Sequence, residues 1–193
     1  MDPVVGVLAL QGAVSEHYNC IRKCGAHARE VKYPADLEGL NGLIIPGGES
    51  TTIGYLMRQN GLDEAIIKRN REGMALMGTC AGMVLLASEV EDGSADQPHL
   101  GLMNARVKRN AFGRQRESFE TSLTVNGWET PVQAVFIRAP VITSTGPEVR
   151  VLSRLEEGVV AAQQGNLLAL SFHPELVEEL AVHEYFLTLC APE

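Results

Sequence analysis

The pentapeptide Gly78-Thr79-Cys80-Ala81-Gly82 is the first feature of this sequence with chemical potential. It follows the short apolar run Met74 to Met77 and precedes Met83 to Val90, which reads as helix. G-x-C-x-G between strand and helix is the cysteine form of a nucleophile elbow: a tight turn strains the central residue and exposes its side chain. Glycines two positions to either side let neighbouring backbone approach. The helix N-terminus favours a thiolate, and the Ala81 N–H would point where an oxyanion forms. The competing reading is a small buried cysteine at a helix start.

A base is available later in the chain. Phe172-His173-Pro174-Glu175 follows the strand-like run Leu167 to Phe172. Open α/β sheets bind ligands at the carboxyl ends of strands, which is where His173 falls. Pro174 keeps His173 extended and disfavours a helix there. Glu175 can turn back to the imidazole and fix its tautomer. Alone, this is a loop histidine beside a Pro-Glu. With an elbow cysteine upstream, it completes Cys80, His173 and Glu175 as a catalytic triad.

Pro46-Gly47-Gly48-Glu49-Ser50-Thr51-Thr52 also lies between strand and helix. It lacks the Gly-Lys-Ser/Thr ending of a phosphate loop. Its N–H groups can hold an oxyanion or a carboxylate, or the segment is a glycine turn with Ser50 or Thr51 as N-cap. Arg109 and Arg138 are candidate clamps for an amino-acid carboxylate, or solvated surface arginines. His17, His27, His99 and His183 read as surface or satisfied structural histidines. Cys20 and Cys24 are four apart on a helix and do not close a metal shell, so no metal is expected.

The elements that must position these residues alternate. Strands are expected over Val4 to Leu10, His27 to Lys32, Gly42 to Ile45 and Met74 to Met77. Helices are expected over Ala13 to Cys24, Thr51 to Asn60, Leu62 to Arg71 and Met83 to Val90. That order predicts an α/β fold in three layers, a mainly parallel sheet with helices on both faces. The second half reads as strands: Arg106 to Arg109, Ser122 to Val125, Val132 to Ile137, Val149 to Leu152, Val159 to Gln163 and Leu167 to Phe172. These are expected to extend the sheet or add antiparallel ribbons, before a last helix from about Val177 to Leu189.

The 193 residues fit a single domain. A net charge of −8 argues against a nucleic-acid partner, and the basic stretch Arg106 to Arg116 is too local to alter that. No apolar run approaches a membrane span, and no signal peptide is apparent. Four unevenly spaced cysteines do not form a disulfide framework, so a cytoplasmic location is expected.

GTCAG with the later FHPE resembles class I, triad-type glutamine amidotransferase domains, whose core is flavodoxin-like. LALQGAVSEH (Leu8 to His17), PGGESTT (Pro46 to Thr52), RNAFGRQRESFE (Arg109 to Glu120) and IRAP (Ile137 to Pro140) are similar to the glutaminase subunits of pyridoxal 5′-phosphate synthase. The likeness spans about residue 4 to 190, with no departure at a motif position. It implies hydrolysis of L-glutamine to glutamate and ammonia through a glutamyl thioester. It also implies a hetero-oligomeric partner, a (β/α)₈ synthase subunit that uses the ammonia in vitamin B6 biosynthesis. No cofactor is implied on this chain. Glutamine contacts carry over to Gly48, Glu49, Ser50, Arg109, Ile137 and Arg138, with an oxyanion hole at Gly48 and Ala81. The alternatives are a stand-alone Cys-His hydrolase such as a peptidase, and a binding subunit with a vestigial triad. A partner-coupled switch is expected at Gly47, whose peptide with Gly48 can flip cheaply, sensed through Gln11.

Overall fold

The computed structural model describes residues 2–91, 93, 96–113 and 117–191. The first half alternates as expected: β1 (Val4–Leu8), α1 (Val14–Lys23), β2 (His27–Val31), β3 (Gly42–Ile45), α2 (Ser50–Asn60), α3 (Leu62–Arg71), β4 (Ala75–Thr79) and α4 (Ala81–Leu86). The second half is strand-rich: β5 (Ala87–Val90), β6 (Met103–Lys108), β7 (Ser118–Leu123), β8 (Val132–Ile137), β9 (Val141–Thr145), β10 (Arg150–Leu155), β11 (Gly158–Gln164) and β12 (Leu167–Leu170), then α5 (Ala181–Leu189).

One 10-stranded sheet runs β2-β1-β3-β4-β12-β11-β9-β6-β5, with β10 paired to β11. The β2-β1-β3-β4-β12 flank is parallel throughout. Beyond β12 the pairing turns antiparallel through β11, β9 and β6, and β5 returns parallel to β6. The β7–β8 ribbon stands apart as its own antiparallel pair. The sheet is thus mixed, with the parallel character concentrated where the site is.

Strand sequences explain the layers. β3 and β4 are buried along their whole length, as apolar strands covered on both faces must be. Leu43, Ile45 and Leu76 pack on one face against Ile53 and Met57 of α2, Ile66 of α3 and Leu85 of α4. Ile44 and Met77 point the other way, into a cluster with Ile21 of α1, Phe186 of α5 and Phe136 of the ribbon. β6 alternates buried and exposed residues, the pattern of a strand with one solvated face.

Several boundaries differ from the sequence reading. The stretch Met83 to Val90 is not one helix: α4 ends at Leu86 and Ala87 is already extended (φ −63°, ψ 148°). Pairing with β6, and a Ser88 hydroxyl that donates to Ala105 O, hold that segment as strand. β9 had no counterpart in the reading. Its run of β-branched residues, Val141, Ile142, Thr143 and Thr145, favours a strand, and it pairs with β6 and β11 on either side. β1 ends at Leu8, so Gln11 lies in the following turn, not on the strand. α5 begins at Ala181, because Pro174–Leu176 form a 3₁₀ turn and Val177 is extended. Pro174 therefore starts a short helical turn, where its missing N–H costs nothing; the sequence reading had it exclude one.

Candidate active site

The chain reverses direction across the sheet between β1 and β3, and the carboxyl ends of β1, β3, β4 and β12 converge there. They open onto a cavity of about 640 Å³, of the size that encloses a small molecule. It is lined by Gln11, Gly47, Gly48, Glu49, Ser50, Cys80, Ala81, Arg109, Ile137, Arg138, His173 and Glu175. Every site residue expected from the sequence therefore meets at one place.

Cys80 leaves β4 with φ 50° and ψ −103°, a strained conformation for a residue with a Cβ. Its N–H donates to Leu170 O of β12 at 2.8 Å, which pins the elbow to the neighbouring strand. The flanking glycines are sterically required. A Cβ on Gly78 would stand 2.4 Å from Gly82 O, and one on Gly82 would stand 2.1 Å from Ile45 O. Ala81 is the first residue of α4, so its N–H has no partner within that helix. Cys80 Sγ lies 3.9 Å from Ile137 O, which brings the end of β8 over the nucleophile.

His173 is held from two sides. Its N–H donates to Val135 O of β8, and its Nδ1 meets Glu175 Oε1 at 2.7 Å. The ring packs so closely on Gly47 that a Cβ there would be 2.5 Å from His173 Cε1. Burial lowers the imidazole pKa, but hydrogen bonds to Cys80 and Glu175, with the Glu175 charge, outweigh it and raise the value to about 10. Glu175 is buried, which by itself raises its pKa. The His173 hydrogen bond and charge, with His17 nearby, reverse this, and the net shift is downward. The site is thus an imidazolium between a sulfur and a carboxylate.

The glycine loop is tied to the turn after β1. Gln11 Oε1 accepts from Glu49 N–H at 2.8 Å, and Gly12 (φ 100°) lies so close to the loop that a Cβ there would overlap Gly47 O. Glu49, neither Ser50 nor Thr51, is the N-cap of α2: its carboxylate accepts from Thr51 N and Thr52 N. Burial raises its pKa, but those bonds prevail and lower it. Glu49 lines the cavity, yet its N–H and carboxylate are already engaged.

On the opposite wall stand Arg109, half-buried, and Arg138, exposed. Among the described residues the non-glycine positions with positive φ are Cys80, Asn110 and Arg138, and all of them line this cavity. Arg138 (φ 43°) is held by its N–H, which donates to Glu117 O. Phe119 stacks on Phe136 at 4.6 Å between centroids, and Phe136 meets Phe172 at 5.7 Å, so the ribbon is joined to the residue before the base. Residues 114–116 of the stretch Arg109 to Glu120 lie outside the described residues.

His27 and His99 are exposed, as expected of surface histidines. His17 and His183 are buried and reach the triad: His17 Nε2 is 3.3 Å from Glu175 Oε2. The sequence reading gave them no part in the site. The available signal was position, since His17 shares a helical face with Val14 and Ile21. Among the described residues no group of His, Cys, Asp and Glu is arranged to hold a metal. The cysteines are free thiols. Burial pushes the Cys190 thiol up to about 12 and that of Cys24 to about 11, the nearby Glu184 adding to the latter.

This geometry has relatives. A model of the SNO glutamine amidotransferase family matches residues 7–191. The chain is 55% identical over 185 residues to a pyridoxal 5′-phosphate synthase subunit PdxT of Niallia circulans, covering 96% of each chain. It is 54% identical over 190 residues to the protein of that name from Thermus thermophilus, covering 98% of each. A crystal structure of a glutamine amidotransferase superposes with a TM-score of 0.91 at 52% identity, covering 96% of this chain and 98% of the other. A glutamine amidotransferase from Thermotoga maritima shares the fold, with a TM-score of 0.63 at 13% identity, covering 90% of this chain and 76% of the other.

Proposed function

The chain belongs to the SNO glutamine amidotransferase family, and on that premise we propose that it hydrolyses L-glutamine with Cys80, His173 and Glu175 and hands the ammonia to a pyridoxal 5′-phosphate synthase partner. The observation that carries this reading is Cys80 at φ 50°, facing an imidazole whose Nδ1 lies 2.7 Å from a buried carboxylate.

His173 takes the proton of Cys80. The thiolate attacks the amide carbon of glutamine, and the carbonyl oxygen becomes an oxyanion facing the Ala81 and Gly48 N–H groups. One such donor is worth about 2.7–4 kcal/mol. His173 gives its proton to the departing nitrogen as the C–N bond breaks, leaving a thioester and ammonia. It then takes a proton from water, which attacks the thioester and releases glutamate. Glu175 keeps the imidazole oriented and stabilises its charge. Arg109 and Arg138 bind the carboxylate of glutamine. No described helix is long and apolar enough to cross a membrane. The cytoplasm, where the thiol stays reduced, suits this chemistry.

The test is exposure to a glutamine-derived chloroketone, with glutamate and ammonia measured before and after. Covalent label on Cys80 with loss of both products is expected. A protein that releases ammonia from glutamine after full labelling would overturn the assignment.

A further inference from the structure

The carboxylate behind the base has a second support. Glu175 Oε1 is taken by His173 Nδ1. Oε2 is buried and makes no hydrogen bond; the ionisable group facing it is His17 Nε2 of α1, at an ion-pair distance of 3.3 Å. His17 has no exposed surface, and its Nε2 is also 3.3 Å from the hydroxyl of Thr79, the residue before the nucleophile. On its far side, His17 Nδ1 meets His183 Nε2 of α5 at 3.0 Å. Neither histidine lines the cavity.

The order of protons in this chain follows from valence. Burial lowers the pKa of His17 and that of His183, the latter to about 3, so each is neutral and carries one N–H. A carboxylate only accepts, so the hydrogen of His17 belongs on Nε2. Its Nδ1 then accepts, and the hydrogen of His183 belongs on Nε2. This leaves a bare lone pair on His183 Nδ1, and that nitrogen is indeed buried with no partner. The reverse order would bury an unsatisfied N–H there and turn the His17 Nε2 lone pair toward the Glu175 carboxylate, with the Thr79 hydroxyl as its one donor.

We propose that His17, its tautomer set by His183, is a positioning residue: it presents the dipole of its Nε2–H, 3.3 Å away, to the otherwise unpartnered Glu175 Oε2 and so steadies the carboxylate that orients His173. This rests on the triad reading above. The titratable groups around Glu175 are His173 ahead of it, His17, Glu16 and Cys20 on α1, and His183 on α5.

The test is steady-state glutamine hydrolysis by the full chain with His17→Leu, His17→Gln and His17→Asn. Outer partners of this kind are worth about 10–100-fold in activity, and His17→Leu should lose that in kcat with KM unchanged. Its acid limb should also move to higher pH, because Glu175 without that dipole protonates more readily. Gln places an amide N–H near the position of Nε2 and should restore most of the rate. Asn places one near Nδ1 and should not. If His17→Leu lacks a cooperative melt, the Gln and Asn variants decide, since both are polar and differ in reach. Equal rates for those two, or a His17→Leu enzyme with wild-type kcat and acid limb, would overturn the proposal. A second readout needs no turnover: the rate at which iodoacetamide alkylates Cys80 across pH should shift in His17→Leu. Should the wild type itself make no glutamate, the triad reading fails alone, and the alkylation profile still reports on His17.

Discussion

The two walls of the cavity are built by different physics. Around Cys80, the glycine loop and the turn after β1, the structure is set by sterics: Gly12, Gly47, Gly78 and Gly82 each touch backbone or a ring where a methyl group would not fit. Around Arg138 and Asn110, residues with side chains hold positive φ without any such crowding to require it. There the backbone is kept in place by hydrogen bonds and by aromatic stacking through Phe119 and Phe136. The first wall gives the reaction a fixed origin. The second is held by these bonds and stacks, and it carries the groups that would read the substrate. A nucleophile must be placed to a fraction of an ångström, whereas a carboxylate clamp tolerates some play.

Two substitutions on the steric wall should separate chemistry from packing. Cys80→Ala removes only the sulfur and should lower glutamate production by about 10⁴-fold or more, with an unchanged melt. Gly82→Ala should instead lose stability, by about 1–3 kcal/mol or more for overpacking, since its Cβ meets Ile45 O at 2.1 Å. Thermal melts and turnover measured together would show the contrast. A Gly82→Ala protein as stable as wild type would break the claim that sterics set this wall.

Next in size is the pair behind the nucleophile. His173→Asn removes the group that moves protons in both half-reactions, while Glu175→Gln removes its orienter, a change worth about 10⁴-fold in a comparable triad. His173→Asn should therefore be at least as damaging in kcat. The reverse order would mean that the two roles are misassigned.

The second wall should show a smaller effect of another kind. Arg138→Ala should raise KM with little change in kcat, because a charged hydrogen bond of about 1.5–3 kcal/mol is lost from ground state and transition state alike. Arg138→Gly should raise KM similarly while relieving the positive φ of 43°. Unaltered saturation behaviour in both variants would remove Arg138 from substrate binding.

What could be read from the sequence divides along the same line. Glycines flanking Cys80 and following β3 announce tight turns by residue type, and the apolar runs before them fix the parallel half of the sheet. His173 and Glu175 were legible because a proline and a strand end frame them. β9 was missed, although four of the five residues of Val141–Thr145 are β-branched and favour a strand. Glu49 as N-cap was hidden too: a cap is defined by backbone angles, and Ser50 and Thr51 are the commoner residue types for it. Nor does any residue type mark the contact between α1, α5 and Glu175, which depends on how helices pack across the sheet.

The smallest effect expected is a switch within the steric wall. Gln11 holds the Glu49 N–H at 2.8 Å, and Gly47 O lies against Gly12, so the oxyanion loop and the turn after β1 move as one unit. Rotation of the Gly47-Gly48 peptide meets no Cβ penalty but must lift Gly47 O off Gly12, and it presents to the oxyanion either the Gly48 N–H, which stabilises it, or the Gly47 carbonyl, which repels it. A synthase partner that touches the Gln11 turn would bias that choice, and about 1.4 kcal/mol of differential contact suffices for a tenfold change in the ratio of states. Glutamate production by the isolated chain should therefore rise about tenfold as the synthase partner is titrated to saturation. Gln11→Ala, which cuts the tie to Glu49, should shrink that stimulation more than it alters the basal rate. A rate that stays flat through saturation would leave a constitutive glutaminase with a rigid loop. Full stimulation of Gln11→Ala would move the coupling from Gln11 to the Gly12–Gly47 contact.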